Sequence, residues 1–317
     1  MPILLHLKTY SNIADFPQTK GTVLTLGTFD GVHLGHTKIL NKITEAAKIM
    51  GVESVVLTFH PHPRSVLQTD TPMHLLSCIE EKSHLIQKSG IDHLVIHPFD
   101  KAFSQLTAEA FVTDILVKKF NIKKIVIGYD HRFGKNRTAN IEDLTRFGLE
   151  FGFDVVQITA EEVNAITISS TKIRKALEAG ECGVAQDYLG HPYTLSGTVV
   201  KGQQLGRTLG FPTANLQPCC EEKLIPKNGV YVVRVTWNNQ SYSGVLNIGN
   251  RPTVSGTSRT IEVHLFDFSQ EIYNAKLSLE FLTFLREEQR FDSLDALKNQ
   301  IIKDKEQAMA YFQNLPK

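Results

Sequence analysis

The first half of the chain alternates short apolar runs with segments of helical spacing. Five runs are rich in β-branched residues and nearly continuous, at residues 23–26, 55–59, 94–96, 125–127 and 155–158. Such runs are typical of strands buried on both faces of a parallel sheet. Between them, residues 36–50 and 107–120 repeat apolar side chains at helical intervals. The alternation predicts a doubly wound, Rossmann-like α/β domain, in which ligands bind beyond the carboxyl ends of the strands.

The pattern changes near residues 180–192, where glycine and proline interrupt the chain, and strands dominate from there on. One predicted strand places Tyr231, Val233, Val235 and Trp237 on the same face. Asn238–Asn239 are typical of a hairpin turn, and further strands are predicted at residues 242–248, 261–266 and 276–284. The pattern predicts an antiparallel sheet closed into a small barrel, followed by a helix from Leu294 to Phe312. The predicted domains are residues 1–186 and 187–317.

Composition narrows the class of protein. The 317 residues are 42% hydrophobic and 21% charged, with a formal net charge of +1. These values are typical of a soluble protein and argue against nucleic acid as the main partner. The N-terminal residues lack a signal-peptide pattern, and no apolar stretch approaches the roughly 18 residues of a membrane span. We therefore expect a cytoplasmic protein that does not enter a membrane.

The four cysteines are Cys78, Cys182, Cys219 and Cys220, and none forms a Cys-x-x-Cys pair. Side chains of adjacent residues point apart in most backbones, so Cys219 and Cys220 are not expected to share a zinc ion. Reduced thiols are the expected state in a cytosolic protein.

A glycine-framed segment follows the first predicted strand of the sheet and opens a helix. It runs from Gly27 to His36 and includes Phe29, Asp30 and His33. Its glycines allow a ligand to approach the backbone, and the helix N-terminus offers free N–H groups to phosphate. His33 and His36 share a face and can donate hydrogen bonds as charge develops at phosphorus. The alternatives are ordinary turn histidines or half of a zinc site.

A second candidate for phosphate binding follows the last strand of the first half. Ser169, Ser170 and Thr171 precede Lys172 and Arg174 at the predicted start of a helix. Cations at that end oppose the helix dipole, and a bound anion would offset the cost. The alternative is a capped helix with two solvated charges. Asp130 lies in a further loop, residues 128–135, that also follows a strand.

The second half carries a basic, glycine-rich segment that leaves a predicted strand. The candidate phosphate-binding residues in it are Lys201, Gly202, Gly206 and Arg207. Thr213 and Asn215 then stand two apart, so in extended backbone they share a face and can hold hydrated Mg²⁺ with its nucleotide. Glu262 alternates with apolar neighbours in a later strand, which also fits a plain solvent-facing residue.

These motifs carry a resemblance to a known family. The His-x-x-His segment and the Ser169–Arg174 segment resemble motifs of the nucleotidyltransferase superfamily. Residues 197–215, with Pro212-Thr213-Ala214-Asn215, resemble the riboflavin kinase motif, and residues 229–231, 247–253 and 261–268 match it further in order. Together the two halves resemble the prokaryotic bifunctional riboflavin kinase/FAD synthetase family over nearly the whole chain.

The resemblance implies two ATP-dependent reactions. The barrel would phosphorylate riboflavin to FMN, and the N-terminal domain would adenylylate FMN to FAD with release of pyrophosphate. It implies that Glu262 is the general base and that Thr213 and Asn215 hold Mg²⁺ and the ATP phosphates. It further implies that the adenylyl site is served by His33, His36, Asp130, Ser170 and Arg174.

Three departures from the family pattern stand in loops. His131 replaces the usual Phe, Ala139-Asn140 replaces a usual glycine, and Asn274 replaces a common Gly. Two other functions stay open: a nucleotidyltransferase with another acceptor, and a flavin-binding regulator without catalysis. A weak homo-oligomer is kept open as an arrangement of the chain.

Overall fold

The structure is a computed structural model that describes residues 7–68, 72–129, 131–159, 161, 168–202, 205–253 and 256–315. The chain forms two compact units. The first consists of Met1–His74 and Ile79–Ser169, and the second of Leu75–Cys78 and Ser170–Lys317. The domain boundary between residues 186 and 187 stays a prediction.

The first unit is built on a parallel sheet of six strands. They are Lys8–Tyr10 (β1), Thr22–Leu26 (β2), Glu53–His60 (β3), His93–Pro98 (β4), Ile122–Gly128 (β5) and Asp154–Ile158 (β6). Their order across the sheet is β1-β4-β3-β2-β5-β6. Adjacent residues of β2 face opposite cores, since Val23 packs with Leu40 and Ile86 while Leu24 packs with Phe111. The predicted doubly wound α/β architecture is confirmed.

Helices cover both faces of this sheet. They are Leu34–Met50 (α1), Pro63–Leu67 (α2), Ile79–Lys88 (α3), Lys101–Ser104 (α4), Ala108–Ala110 (α5) and Ile141–Phe151 (α6). Two 3₁₀ turns complete the unit: Ile13–Asp15 lies between β1 and β2, and Lys135–Arg137 lies between β5 and α6. Directly after α5 the chain forms a π-helix over Phe111–Val117 rather than a plain α-helix. Apolar spacing alone could not distinguish these two forms.

The second unit is a closed antiparallel barrel, as predicted. Its strands are Tyr193–Val200 (β7), Ala214–Pro218 (β8), Gly229–Trp237 (β9), Gln240–Thr253 (β10), Gly256–Leu265 (β11) and Lys276–Arg286 (β12). They close in the order β10-β11-β8-β7-β12-β9. Its helices are Ser170–Ala179 (α7), Cys182–Leu189 (α8), Leu205–Thr208 (α9) and Leu294–Gln313 (α10). Asn238 and Asn239 have φ of 48° and 60°, which confirms the hairpin turn.

The terminal helix lies on the outer face of the barrel. Val232 points away from the barrel interior but is fully buried. It packs with Phe266 and Leu282, and also with Ala308, which belongs to α10. This contact explains why β9 is buried on both faces over much of its length. It also places α10 beside the outward-facing residues of β10 and β11.

The short segment Leu75–Cys78 belongs to the second unit although it comes from the first half of the chain. The backbone N–H of Leu75 donates to Glu222 O (2.7 Å), and that of Leu224 donates to Leu75 O (2.8 Å). Leu76 is 2% exposed within the barrel core. These contacts hold the segment as a short parallel bridge against the loop after β8.

The prediction of four reduced thiols is wrong in one respect. Cys78 and Cys219 form a disulfide, while Cys182 and Cys220 remain thiols. The expectation that Cys219 and Cys220 point apart is also wrong, since both sulfur atoms lie within 4.8 Å of each other and of Cys78 Sγ. β8 ends at Pro218, so the strand alternation that would separate adjacent side chains no longer applies there.

Candidate active sites

The predicted histidine pair lies at the start of α1, directly after the carboxyl end of β2. His33 is the N-cap residue, and its Nδ1 accepts a hydrogen bond from the backbone N–H of His36 at 3.4 Å. The two imidazole rings stack with centroids 3.7 Å apart. The turn before them is strained, because Phe29 and Val32 have φ of 46° and 41°. Burial of both side chains maintains this backbone, so the histidines are held in one arrangement.

The electrostatics of this turn favour a neutral His36. His36 is half-buried as a residue, but its Nδ1 is buried and has no hydrogen-bond partner among the described residues. Burial lowers the pKa of His36 well below its usual range, and His33 and Lys82 lower it further. A neutral imidazole with an unsatisfied buried nitrogen is suited to a polar ligand at the end of β2.

A buried pair of charged residues lies next to the histidines: the predicted Asp30 and Lys82, which sequence analysis missed. Asp30 is 2% exposed and Lys82 of α3 is 6% exposed. Burial lowers the pKa of Lys82 to about 8, and the Asp30 carboxylate partly opposes that change. In the sequence, Lys82 stands in a polar run that is typical of a solvated helix face, so no signal identified it. Lys82 thus places an ammonium group near the predicted phosphate site, with the Asp30 carboxylate beside it.

The loop after β5 shows how the departures from the family pattern are accommodated. Asn140 caps α6 in a capping box with Asp143, a role that a glycine could not fill. His131 stacks on Phe133 with ring centroids 6.2 Å apart. In the second unit, Asn274 has φ of 63°, the left-handed conformation that glycine also adopts. Asp130 lies outside the described residues, so its role stays a prediction.

The second predicted phosphate-binding segment, Ser169 to Arg174, lies at the start of α7. The helix begins at Ser170, and Ser169 immediately precedes it. Its apolar face, formed by Ile173, Ala176 and Leu177, is buried in the core of the second unit. The roles of Ser169, Ser170, Thr171 and Arg174 in phosphate binding stay predictions.

The glycine-rich segment of the second unit connects β7 to β8. It contains the helical turn α9, and the backbone N–H of Phe211 donates to Gly206 O at 2.8 Å just after this turn. Gly202 lies directly against the Asn215 side chain: a Cβ at this position would be 2.1 Å from Asn215 Nδ2. Lys201 and Arg207 are exposed. The small glycine therefore leaves room for the Asn215 amide.

Three candidate residues of the second unit meet on the outer face of the barrel. Glu262 of β11 is the direct cross-strand partner of Asn215 on β8 and of Asn247 on β10. The Thr213 hydroxyl donates to Glu262 Oε2 at 3.3 Å. Strand pairing thus brings together a carboxylate, a hydroxyl and two amides. The plain solvent-facing interpretation of Glu262 is incomplete, because this face lines a cleft.

The cleft has a volume of about 430 Å³ and lies between the barrel and α10. Thr213, Asn247 and Glu262 line one side, and Phe291, Leu297 and Ile301 line another. An ion pair positions α10 over it, since the Arg286 guanidinium donates to both carboxylate oxygens of Asp304, at 2.8 and 2.7 Å. Asp304 is 3% exposed. The arrangement offers an apolar wall opposite a polar one, which is typical of sites that bind small organic molecules.

His264 contacts the segment before Thr213, an arrangement that sequence analysis missed. Its Nδ1–H donates to Pro212 O at 2.8 Å, and its ring contacts Phe211 with centroids 5.6 Å apart. Burial lowers its pKa, although the bond to Pro212 O opposes that change. The contact fixes the segment before Thr213 against β11. The matching strand in the sequence contained His264, but nothing there indicated which side chain it contacts.

The donors on this face fit Mg²⁺ with a nucleotide. Thr213 and Asn215 present hydroxyl and amide carbonyl oxygens, hard ligands of the kind that Mg²⁺ prefers, next to the Glu262 carboxylate. Because Gly202 has no Cβ, there is space next to the Asn215 amide. A side chain at position 202 would fill that space. The first unit offers a helix N-terminus with two imidazoles, which fits a polyphosphate.

The two units define a class of protein: a doubly wound nucleotide-binding domain joined to a barrel with a polar site on its outer face. The FAD synthetase family model matches residues 15–172, and the riboflavin kinase family model matches residues 189–312. The chain therefore belongs to the family of bifunctional riboflavin kinase/FMN adenylyltransferases, which confirms the resemblance seen in its motifs. The riboflavin kinase match over the barrel argues against an accessory barrel.

Several relatives span the whole chain. The bifunctional riboflavin kinase/FMN adenylyltransferase of Escherichia coli K12 is 38% identical over 95% of this chain and 96% of its own length. That of Bacillus subtilis is 36% identical over 99% of both chains. A crystal structure described as a macrolide-efflux protein from Streptococcus pneumoniae has a TM-score of 0.86 and 32% identity, over 99% of this chain and 100% of that one. Among the described residues, every helix is too short or too polar to cross a membrane.

Proposed function

We propose that this chain is a bifunctional enzyme that converts riboflavin to FMN and FMN to FAD, using ATP and Mg²⁺ in both steps. The observation that carries the proposal is the cross-strand contact of Glu262 with Asn215, completed by the Thr213 hydroxyl. A phosphate-binding hydroxyl and amide next to a carboxylate is the arrangement that phosphoryl transfer to an alcohol requires.

In the kinase reaction, the isoalloxazine ring of riboflavin lies in the cleft against α10, and its ribityl chain points to Glu262. The Glu262 carboxylate accepts the proton of the terminal hydroxyl as its oxygen attacks the γ-phosphorus of ATP, and ADP leaves. Thr213 and Asn215 would hold Mg²⁺, which would neutralise phosphate charge when bound. His264 keeps Thr213 in place through Pro212.

In the adenylyl transfer, the nucleophile is the phosphate of FMN, which is already anionic near pH 7 and needs no general base. It attacks the α-phosphorus of ATP in line, and pyrophosphate leaves. The free N–H groups of α1 and the imidazoles of His33 and His36 donate hydrogen bonds to the phosphate oxygens. Because His36 is neutral, it acts as a donor of a hydrogen bond rather than as a fixed positive charge.

A timed chromatographic assay with riboflavin, ATP and Mg²⁺ tests both activities. FMN should appear first and FAD second. Glu262→Gln should lower FMN formation by about 10²–10⁴-fold, since it removes the general base, and leave FMN-to-FAD conversion unchanged. His36→Ala should do the reverse, with a loss of about 10²–10³-fold in FAD formation.

The two variants serve as controls for each other. Equal loss of both activities in a folded Glu262→Gln protein would contradict two separate sites. Normal FAD formation by His36→Ala would refute the role of that imidazole. If no new flavin formed with the unmodified chain, the flavin-binding regulator would be the better interpretation.

A further inference from the structure

Three cysteine sulfur atoms come together at the edge of the second unit. The Sγ atoms of Cys78, Cys219 and Cys220 all lie within 4.8 Å of one another. Cys78 and Cys219 form a disulfide, and Cys220 Sγ lies 3.2 Å from Cys78 Sγ. Neither proposed reaction uses these residues. We call this group the cysteine triad.

Long-range contacts, rather than the cysteines alone, bring the triad together. Cys78 comes from the first half of the chain, 141 positions before Cys219. The backbone bonds of Leu75 to Glu222 and Leu224 hold the Cys78 segment against the loop after β8. The buried ammonium of Lys223 donates to Leu76 O at 2.7 Å, and Leu76 lies in the barrel core. The three sulfur positions are therefore held by the fold when the disulfide is reduced.

The burial of the triad is graded from the interior to the surface. Cys78 is 2% exposed, Cys220 is partly buried and Cys219 is exposed. A small ion could thus reach the sulfur atoms from the side of Cys219, while Cys78 supplies a ligand from the interior. By contrast, Cys182 is a buried thiol within the core, and its burial raises its pKa to about 12.

The spacing of the sulfur atoms fits a soft metal ion. Tetrahedral zinc, with Zn–S bonds of about 2.3 Å, separates its sulfur ligands by about 3.8 Å. The Cys78–Cys220 distance of 3.2 Å is close to this value, and the Cys219 sulfur atom lies within 4.8 Å of both of the others. Opening the disulfide requires a rotation of the exposed Cys219 side chain. Thiolates select soft ions such as Zn²⁺ and Cu⁺ over Mg²⁺.

We propose that the reduced cysteine triad is a binding site for a thiophilic metal ion, with zinc as the ion that its geometry fits. Among the described residues, no fourth histidine, cysteine or carboxylate joins the group. Three thiolates therefore hold the ion, and water occupies its fourth position. The Cys78–Cys219 disulfide is the metal-free form of the same site, since it removes two of the three ligands.

The disulfide and the metal-bound form are related by a balanced reaction. A phosphine reductant attacks one sulfur atom, the S–S bond breaks, and hydrolysis yields two thiols and the phosphine oxide. To form the disulfide again, the Cys78 and Cys219 thiols transfer two electrons and two protons to a small-molecule disulfide. That disulfide is thereby reduced to two small thiols. The chain can therefore be prepared in both states without a change of sequence.

The test is a titration of the full chain with Cd²⁺, after reduction with a phosphine and removal of metals. One Cd²⁺ should bind per chain, with an ultraviolet thiolate-to-cadmium charge-transfer band, and Zn²⁺ should displace it. Cys219→Ser and Cys220→Ser should each weaken Cd²⁺ binding by more than about 100-fold. Loss of a residue that only hydrogen-bonds to a metal ligand costs about 10–100-fold in affinity, and each of these variants removes a ligand itself. Cys182→Ala is the matched control and should bind normally.

The oxidised chain provides the second arm. After treatment with a small-molecule disulfide, the chain should bind no Cd²⁺, and after reduction it should bind again. Bound Zn²⁺ should also slow alkylation of Cys219 and Cys220, as counted by mass spectrometry. Unchanged affinity in either serine variant, equal binding by the oxidised chain, or no binding by a folded reduced chain would overturn the proposal. Because metal binding is measured without flavin or ATP, failure of this site would not affect the proposed enzyme activities.

Discussion

The contact between Gly202 and Asn215 allows a sharp test of the kinase site. In Gly202→Ala, the added methyl group would lie 2.1 Å from Asn215 Nδ2 and 2.5 Å from its Cγ. Real contacts of a Cβ are essentially never shorter than 3.0 Å, so the amide must retreat by about 1 Å. The Asn215 side chain is only partly buried and can move without disturbing the core.

The expected effect is large on the rate and small on stability. A displacement of about 1 Å at a reacting centre costs about 100-fold in rate, which corresponds to about 2.7 kcal/mol of transition-state stabilisation. The free energy of unfolding should change by less than about 1 kcal/mol. FMN formation by Gly202→Ala should therefore fall by about 100-fold at saturating ATP, whereas conversion of FMN to FAD should keep its normal rate.

A second glycine of the same unit provides the matched control. A Cβ at Gly183, on α8, would meet no atom within 4 Å, so Gly183→Ala should leave both activities unchanged. The assay is the initial rate of FMN and of FAD formation in the same protein preparation. A normal rate of FMN formation by Gly202→Ala would refute the reasoning, because the position of the Asn215 amide would then not matter. Loss of both activities would indicate general damage instead.

Two further predictions concern stability. Asp304→Ala should lower the free energy of unfolding by about 3 kcal/mol in urea denaturation, because it leaves the largely buried Arg286 guanidinium without its carboxylate; a loss below about 1 kcal/mol would contradict this. Lys82 has a pKa of about 8 in the folded chain against 10.5 when solvated, so the unfolded state binds more protons between these values. The stability of the unmodified chain should therefore rise with pH from 8 to 10.5 relative to Lys82→Met; parallel pH profiles of the two proteins would refute the shift.

The fold could be predicted from the sequence where local pattern and tertiary burial agree. The run around Val55 and Leu57 is apolar because both faces of β3 are covered. This continuous apolar run is the pattern from which the strand was predicted. The barrel followed from alternation and from the Asn238–Asn239 turn. The roles of Thr213, Asn215 and Glu262 came from motif resemblance; strand register then placed them together. The alternation of apolar and polar residues along a strand does not indicate which strands become its neighbours in the sheet.

The features that were missed depend on contacts between distant residues. Lys82 is buried beside Asp30, but its local sequence is as polar as any exposed helix. Val232 is buried on the outer face because α10 covers it, and that contact joins residues far apart in the chain. The disulfide between Cys78 and Cys219 likewise depends on where the Leu75 segment lies. Sequence patterns describe each element but not its partner.

The position of Leu75–Cys78 has a consequence for the order in which the protein folds during synthesis. The barrel unit includes a segment that leaves the ribosome well before its first strand, and the Lys223-to-Leu76 bond spans 147 positions. The intervening loop must be closed before this contact contributes, which costs entropy and slows formation of the contact. Residues 75–78 must therefore wait for the barrel to emerge. A fragment that begins at Ser170 would lack Leu76 in its core, so a faithful exchange of this unit between relatives must carry both pieces of chain.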